Sequence, residues 1–152
     1  MNLENLFEDL EVRYEALRAN RAEGLQQVGT ITLLLRNRTL KLNQLHFAKD
    51  FVLGRCGTAL IAIPHRSLRV LLVQPGEATT SRTVFRRWLE ALPEATWLRV
   101  EVGAEQSAGS LRYCQNGLLG ISDKLIATTA IECIEIRAVE NSTGVSPSDA
   151  TL

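Results

Sequence analysis

Residues 44–54 and 110–120 of this chain superpose without a gap at an offset of 66 residues. Leu45 falls on Leu111, Phe47 on Tyr113, a turn-forming Asp50 on Asn116, and Val52-Leu53-Gly54 on Leu118-Leu119-Gly120. Further along, Leu60-Ile61-Ala62 matches Leu125-Ile126-Ala127 with one residue fewer between. Leu68-Arg69-Val70-Leu71 then matches Ile131-Glu132-Cys133-Ile134 after another small deletion. Length changes that fall in turns are what a duplicated β-unit shows, because loops tolerate them. The 152 residues thus read as two similar units in tandem.

The stretch before the first unit has helical periodicity. Leu3, Leu6, Phe7, Leu10, Tyr14 and Leu17 recur at three- and four-residue steps, and Glu4, Glu8, Glu11 and Glu15 fill the other faces. Short strands follow, at residues 30–35, 40–47, 51–53, 59–63 and 68–73. Pro64 ends the fourth of these and Pro75-Gly76 closes the fifth. A polar linker, residues 76–81, leads to a second helix in which Val84, Phe85, Trp88, Leu89 and Leu92 share one face, ended by Pro93. Residues 96–137 are strand-like again, with Asn116-Gly117 as the strongest hairpin signal. Residues 140–152 are polar and read as a disordered tail.

The predicted fold is therefore mainly β with two helices (α+β): two tandem five-stranded small barrels, each preceded by an amphipathic helix. The expected boundaries are 1–74 for the first helix and barrel, 75–139 for the second, and 140–152 for the tail. Positions apolar in both copies, Leu45/Leu111 and Phe47/Tyr113, are expected to point inward, and His46/Arg112 outward into solvent.

A helix followed by five short, bent strands resembles an Sm-like small barrel. The likeness rests on Leu98-Arg99-Val100-Glu101-Val102, on Gly109-Ser110-Leu111, and on the short Ile63-Pro64 or Thr128-Thr129 turn before the final strand. The opening Leu6-Phe7-Glu8-Asp9-Leu10-Glu11 is similar to a group of small actinobacterial proteins of unassigned function with the same layout. The resemblance covers residues 3–137 and implies the fold. In RNA-binding Sm proteins an Asn that contacts the base follows an Asp by four positions. Counting from Asp50 and Asn116, those places hold Gly54 and Gly120. The family's Arg-Gly step in the fourth strand is also missing, so the resemblance does not carry over its nucleotide pocket.

No constellation for chemistry stands out. The two histidines, His46 and His65, belong to no metal-ligand or catalytic spacing. The three cysteines, Cys56, Cys114 and Cys133, lie in or beside apolar runs with no CxxC pair, the usage of free buried thiols. A nucleophile elbow and a glycine-rich phosphate loop are both absent. The expectation is a non-enzyme with no catalytic residues, no cofactor, no metal and no small-molecule substrate. No apolar run reaches the length of a membrane helix, and the N-terminus lacks the pattern of a secretion signal. That points to a cytoplasmic chain without membrane association.

The charge is more informative than its total. Seventeen basic and 17 acidic residues cancel overall. Residues 1–28 nonetheless sum to −3, while residues 29–74 sum to +6 through Arg36, Arg38, Lys41, Lys49, Arg55, Arg66 and Arg69 against a lone Asp50. Clustered cations of this kind release counterions from nucleic acid, so these seven are the candidate nucleic-acid residues. The competing reading is that the acidic first helix, or an acidic partner, covers them. The expected role is a protein-interaction or assembly module of unassigned pathway, acting on a protein partner or by self-association. The Leu3, Leu6, Phe7, Leu10, Tyr14 and Leu17 stripe is its candidate interface, and sequence-tolerant RNA or DNA binding by the basic first unit is the alternative.

Overall fold

The structure, a computed structural model, describes residues 24–36 and 38–137. The apolar stripe of Leu3, Leu6, Phe7, Leu10, Tyr14 and Leu17, and the polar stretch 140–152, lie outside those residues. After a helical turn at residues 24–26 come β1 (Val28–Leu35), β2 (Arg38–Phe47), β3 (Phe51–Cys56), β4 (Ala59–Pro64) and β5 (Val70–Pro75). A two-residue β6 (Thr79–Thr80) and the short helix α1 (Phe85–Glu90) follow. Then come β7 (Trp97–Val102), β8 (Glu105–Gln115), β9 (Leu118–Ile121), β10 (Lys124–Ala127) and β11 (Cys133–Arg137). Single 3-10 turns, His65–Ser67 and Thr128–Ala130, separate β4 from β5 and β10 from β11.

The strands run in the order β10-β9-β8-β7-β11-β4-β3-β2-β1-β5, and β6 pairs with β2 off this path. Every pairing is antiparallel except β2 with β6. This corrects the expectation of two tandem, closed five-stranded barrels. The described residues form one open sheet of 11 strands whose ends are β5 and β10. The physical reason lies at β4. Its outer ladder groups need partners, and they find them on β11 from the other half rather than on β5: Ile134 faces Ala62, Glu135 faces Ile61, Ile136 faces Leu60 and Arg137 faces Ala59. Within each half the order nevertheless repeats, fifth-first-second-third-fourth, as β5-β1-β2-β3-β4 and β11-β7-β8-β9-β10.

Two apolar clusters form the core, and both draw on the two halves. Phe51 and Ala62 pack with Phe85, Leu89, Leu98, Val100, Ile131 and Ile134 in one. Ile31, Leu33, Leu42, Val52, Ile61 and Ile63 pack with Cys133 in the other. The second helix, expected to span Val84–Leu92, is only six residues long. It is anchored by Phe85, whose ring centroid lies 5.3 Å from that of Phe51. Its first amide has no intrahelical acceptor, and Asp50 in the β2–β3 turn supplies one: Phe85 N donates to Asp50 Oδ1 at 2.7 Å.

One side-chain direction differs from the repeat-based expectation. Leu45, Phe47 and Leu111 are buried, whereas Tyr113 is exposed. The register of β2 slips before Leu45, at Gln44 with φ 50°, while that of β8 slips after Leu111. A bulge reverses every side chain beyond it, so the same apolar alternation puts Phe47 inside and Tyr113 outside. The Tyr113 ring lies over Gly120, where a Cβ would meet ring carbons at 2.7–2.9 Å.

The connection between the halves is stitched to the sheet. Gly29 and Gly76 cross so closely that a Cβ on Gly29 would sit 2.6 Å from Gly76 Cα. Past that crossing, β6 lies parallel to the end of β2, with His46 facing Thr79 and Phe47 facing Thr80. Among the described residues no helix is long and apolar enough to cross a membrane.

Candidate functional site

Three features stand out on the described surface: a basic cleft at the joint between the halves, a histidine clamp, and the two open ends of the sheet. The cleft, of about 550 Å³, lies where the β1–β2 turn meets the start of β11. Arg36, Arg38, Arg66 and Arg69 of the first half line it together with Glu101 and Glu132 of the second. Arg36 donates to both carboxylate oxygens of Glu132, Nε to Oε1 at 3.0 Å and Nη2 to Oε2 at 3.1 Å. Arg38 donates to Glu101, and Arg66 to the Ile131 carbonyl. The hydrogen bonds from Arg36 hold the Glu132 carboxyl below its ordinary range, and the same contact raises the Arg36 guanidinium.

The seven candidate nucleic-acid residues therefore divide. Arg36, Arg38, Arg66 and Arg69 converge on the cleft, whereas Lys41 on β2, Lys49 in the β2–β3 turn and Arg55 on β3 do not line it. Two of the four are already matched by acids from the second half. Segment charges fail to show this, because Glu101 and Glu132 sit in a stretch that sums to −1.

His46 is half-buried rather than solvated. Its Nδ1 lies 2.6 Å from Thr79 Oγ1 and its Nε2 2.8 Å from Ser81 Oγ, so both ring nitrogens are taken up in fastening β6. Cys133 lies in the core, where burial pushes its thiol up to about 12, so it is not a nucleophile at neutral pH. Burial also raises the Cys114 thiol. Among the described residues no group of three or more His, Cys, Asp or Glu is placed to hold a metal ion.

Open strand edges are expected of small barrels, but no residue of the sheet ends is among the candidate interface residues. On β5, Val70, Leu71, Leu72 and Val73 are 42–58% exposed, on both faces of the strand. The strand in the same place in the second half, β11, has Cys133, Ile134 and Glu135 buried. At the other end, Leu125 on β10 is 57% exposed, while Ile61 and Ala62 on the matching strand β4 are buried. The chain matches no protein-family model and no curated protein.

Proposed function

We propose that this chain is a non-enzymatic interaction and assembly module that takes up its partner by strand addition along the open edge of β5. The observation that carries this reading is the run Val70-Leu71-Leu72-Val73. Four consecutive large apolar side chains are about half exposed on a strand that, among the described residues, is paired on one side only. An unpaired edge offers a row of N–H and C=O groups to an incoming strand. Fully burying a Val or Leu side chain is worth about 1.5–3 kcal/mol, which would add to the ladder bonds. Two common protections against such pairing are weak here. The strand carries no charged residue, and its one proline, Pro75, stands at its end.

Selection from a displayed library of short extended peptides tests this reading. The expected binders are β-prone, apolar at alternate positions, and released by Leu72→Lys at unchanged fold, as judged by circular dichroism. If no peptide is retained, or if Leu72→Lys retains them equally, the reading fails.

A second reading, sequence-tolerant nucleic-acid binding, is favoured by one observation: the convergence of Arg36, Arg38, Arg66 and Arg69 on a single cleft. Against it, Glu132 and Glu101 already neutralise two of them. In a gel-shift titration it requires a complex whose affinity falls steeply with salt and is lost in Arg66→Glu/Arg69→Glu. No shift at low salt removes it.

A further inference from the structure

Resting on the β5-edge reading, we infer that the strand added to β5 is β10 of a second copy of this chain. Copies then join head to tail by repeating the joint that their own halves make. The internal joint is the template. There the fourth strand of one half, β4, lies antiparallel to the fifth strand of the other, β11. Among the described residues, the two ends of the sheet are the same pair of strands left without each other: a fifth strand, β5, and a fourth strand, β10.

The correspondence can be followed residue by residue. β4 leaves β3 through a two-residue turn in which Cys56 faces Ala59, and β10 leaves β9 through one in which Ile121 faces Lys124. Lys124, Leu125 and Ile126 thus hold the places of Ala59, Leu60 and Ile61. On the fifth strands, Leu98 and Arg99 of β7 face Ile136 and Glu135, and Ile31 and Thr32 of β1 face Val73 and Leu72. Leu72, Val73 and Gln74 thus hold the places of Glu135, Ile136 and Arg137. Transferring the observed register puts Leu72 against Ile126, Val73 against Leu125 and Gln74 against Lys124 of the next copy. The first two are apolar pairs, and the third sets a neutral amide against an ammonium.

Burial differs in the way this joint requires. Glu135, paired on both sides, is 7% exposed, and Leu72 in its place is 53% exposed. Ala59, paired on both sides, is 9% exposed, whereas Lys124 in its place is open to solvent. The features that blunt the free ends do not forbid the pairing, because the internal joint carries them too. β4 ends in Pro64 as β5 ends in Pro75, and β11 ends in Arg137 as β10 begins in Lys124. The joint is heterologous, since the two surfaces differ, so each added copy presents the same free ends until a ring closes.

Size exclusion with light scattering, across a wide range of concentration, tests this on the full chain and two variants, Leu72→Lys and Leu125→Lys. Both substituted side chains are more than half exposed, and thermal melts verify that each variant folds. The wild type is expected to reach at least double the 16.8 kDa of one chain. Each variant alone stays single, and an equimolar mixture of the two gives a one-to-one pair, since each supplies the end the other lacks. A wild type that is single throughout overturns the inference. So does a Leu125→Lys variant that assembles like the wild type, which would place something other than β10 on the edge. Peptide capture by β5 lost in Leu72→Lys would persist in either case if the broader reading of that edge is right, so the two failures are separable.

Discussion

Glu132 accepts two hydrogen bonds from Arg36, and the two residues come from opposite halves of the chain, 96 positions apart. The pair ties the β1–β2 turn of the first half to the residue just before β11, and the Arg36 side chain is half exposed. Because Arg36 lowers the Glu132 carboxyl in the folded chain, its contribution is complete above the ordinary Glu range, about 4.3. It is lost as pH falls through the lowered value. Exposed pairs contribute little. We therefore expect Glu132→Gln to melt slightly below the wild type at neutral pH and to match it in acid; thermal melts along a pH series would show the two curves converging.

Asp50 is the tertiary cap of α1. Removing the oxygen that accepts from Phe85 N should cost about 1 kcal/mol, the usual worth of an N-cap. Urea unfolding of Asp50→Ala should show a lower midpoint with an unchanged slope. Asp50→Asn keeps an oxygen in place and should recover most of the loss.

The Gly29–Gly76 crossing admits no side chain at either position. A Cβ at Gly29 meets backbone at 2.6 Å, and one at Gly76 meets Gly29 Cα at 2.4 Å. Backbone at both sides cannot step aside as a flexible side chain would. Gly29→Ala and Gly76→Ala should each lower the melting temperature markedly, whereas Gly24→Ala, which meets nothing within 4 Å, should not.

Cys133 should resist alkylation. Its thiol is pushed up to about 12 by burial, with Glu101 adding to the effect, and its side chain is 1% exposed. Iodoacetamide at pH 8, read by mass spectrometry, should leave it unmodified in the native chain while modifying it in urea. Raising the pH from 7 to 9 should barely help, because the thiolate stays scarce until near the raised value.

Local elements were legible in the sequence where a residue acts on its neighbours. Pro64 closes β4, and Asn116 and Gly117, both at positive φ, turn β8 into β9. The side-chain alternation of β2 is visible as Leu40, Leu42, Leu45 and Phe47. Pairing was not legible, because antiparallel ladders are satisfied equally well by near or distant strands. Nothing in Leu60-Ile61-Ala62 announces that its partner is Ile134-Glu135-Ile136 rather than the strand that follows next in the chain. For the same reason the apolar runs of β5 and β11 read alike, although one stands in solvent and the other does not. Tyr113 was misread through a single bulge, which leaves no mark in composition. Half of the candidate basic cleft was visible as clustered arginines. Its acids, Glu101 and Glu132, were not, because only the β4–β11 joint brings them there.

The joint also sets an order of events during synthesis. β4 leaves the ribosome about 70 residues ahead of β11, the strand that covers it. Until then the first half carries two bare edges instead of one, with Leu60, Ile61 and Ala62 on the second. Completing the sheet is thus a long-range closure of the kind that slows folding and exposes sticky intermediates. A nascent chain stalled before Cys133 would be an aggregation hazard even though its first five strands were already made.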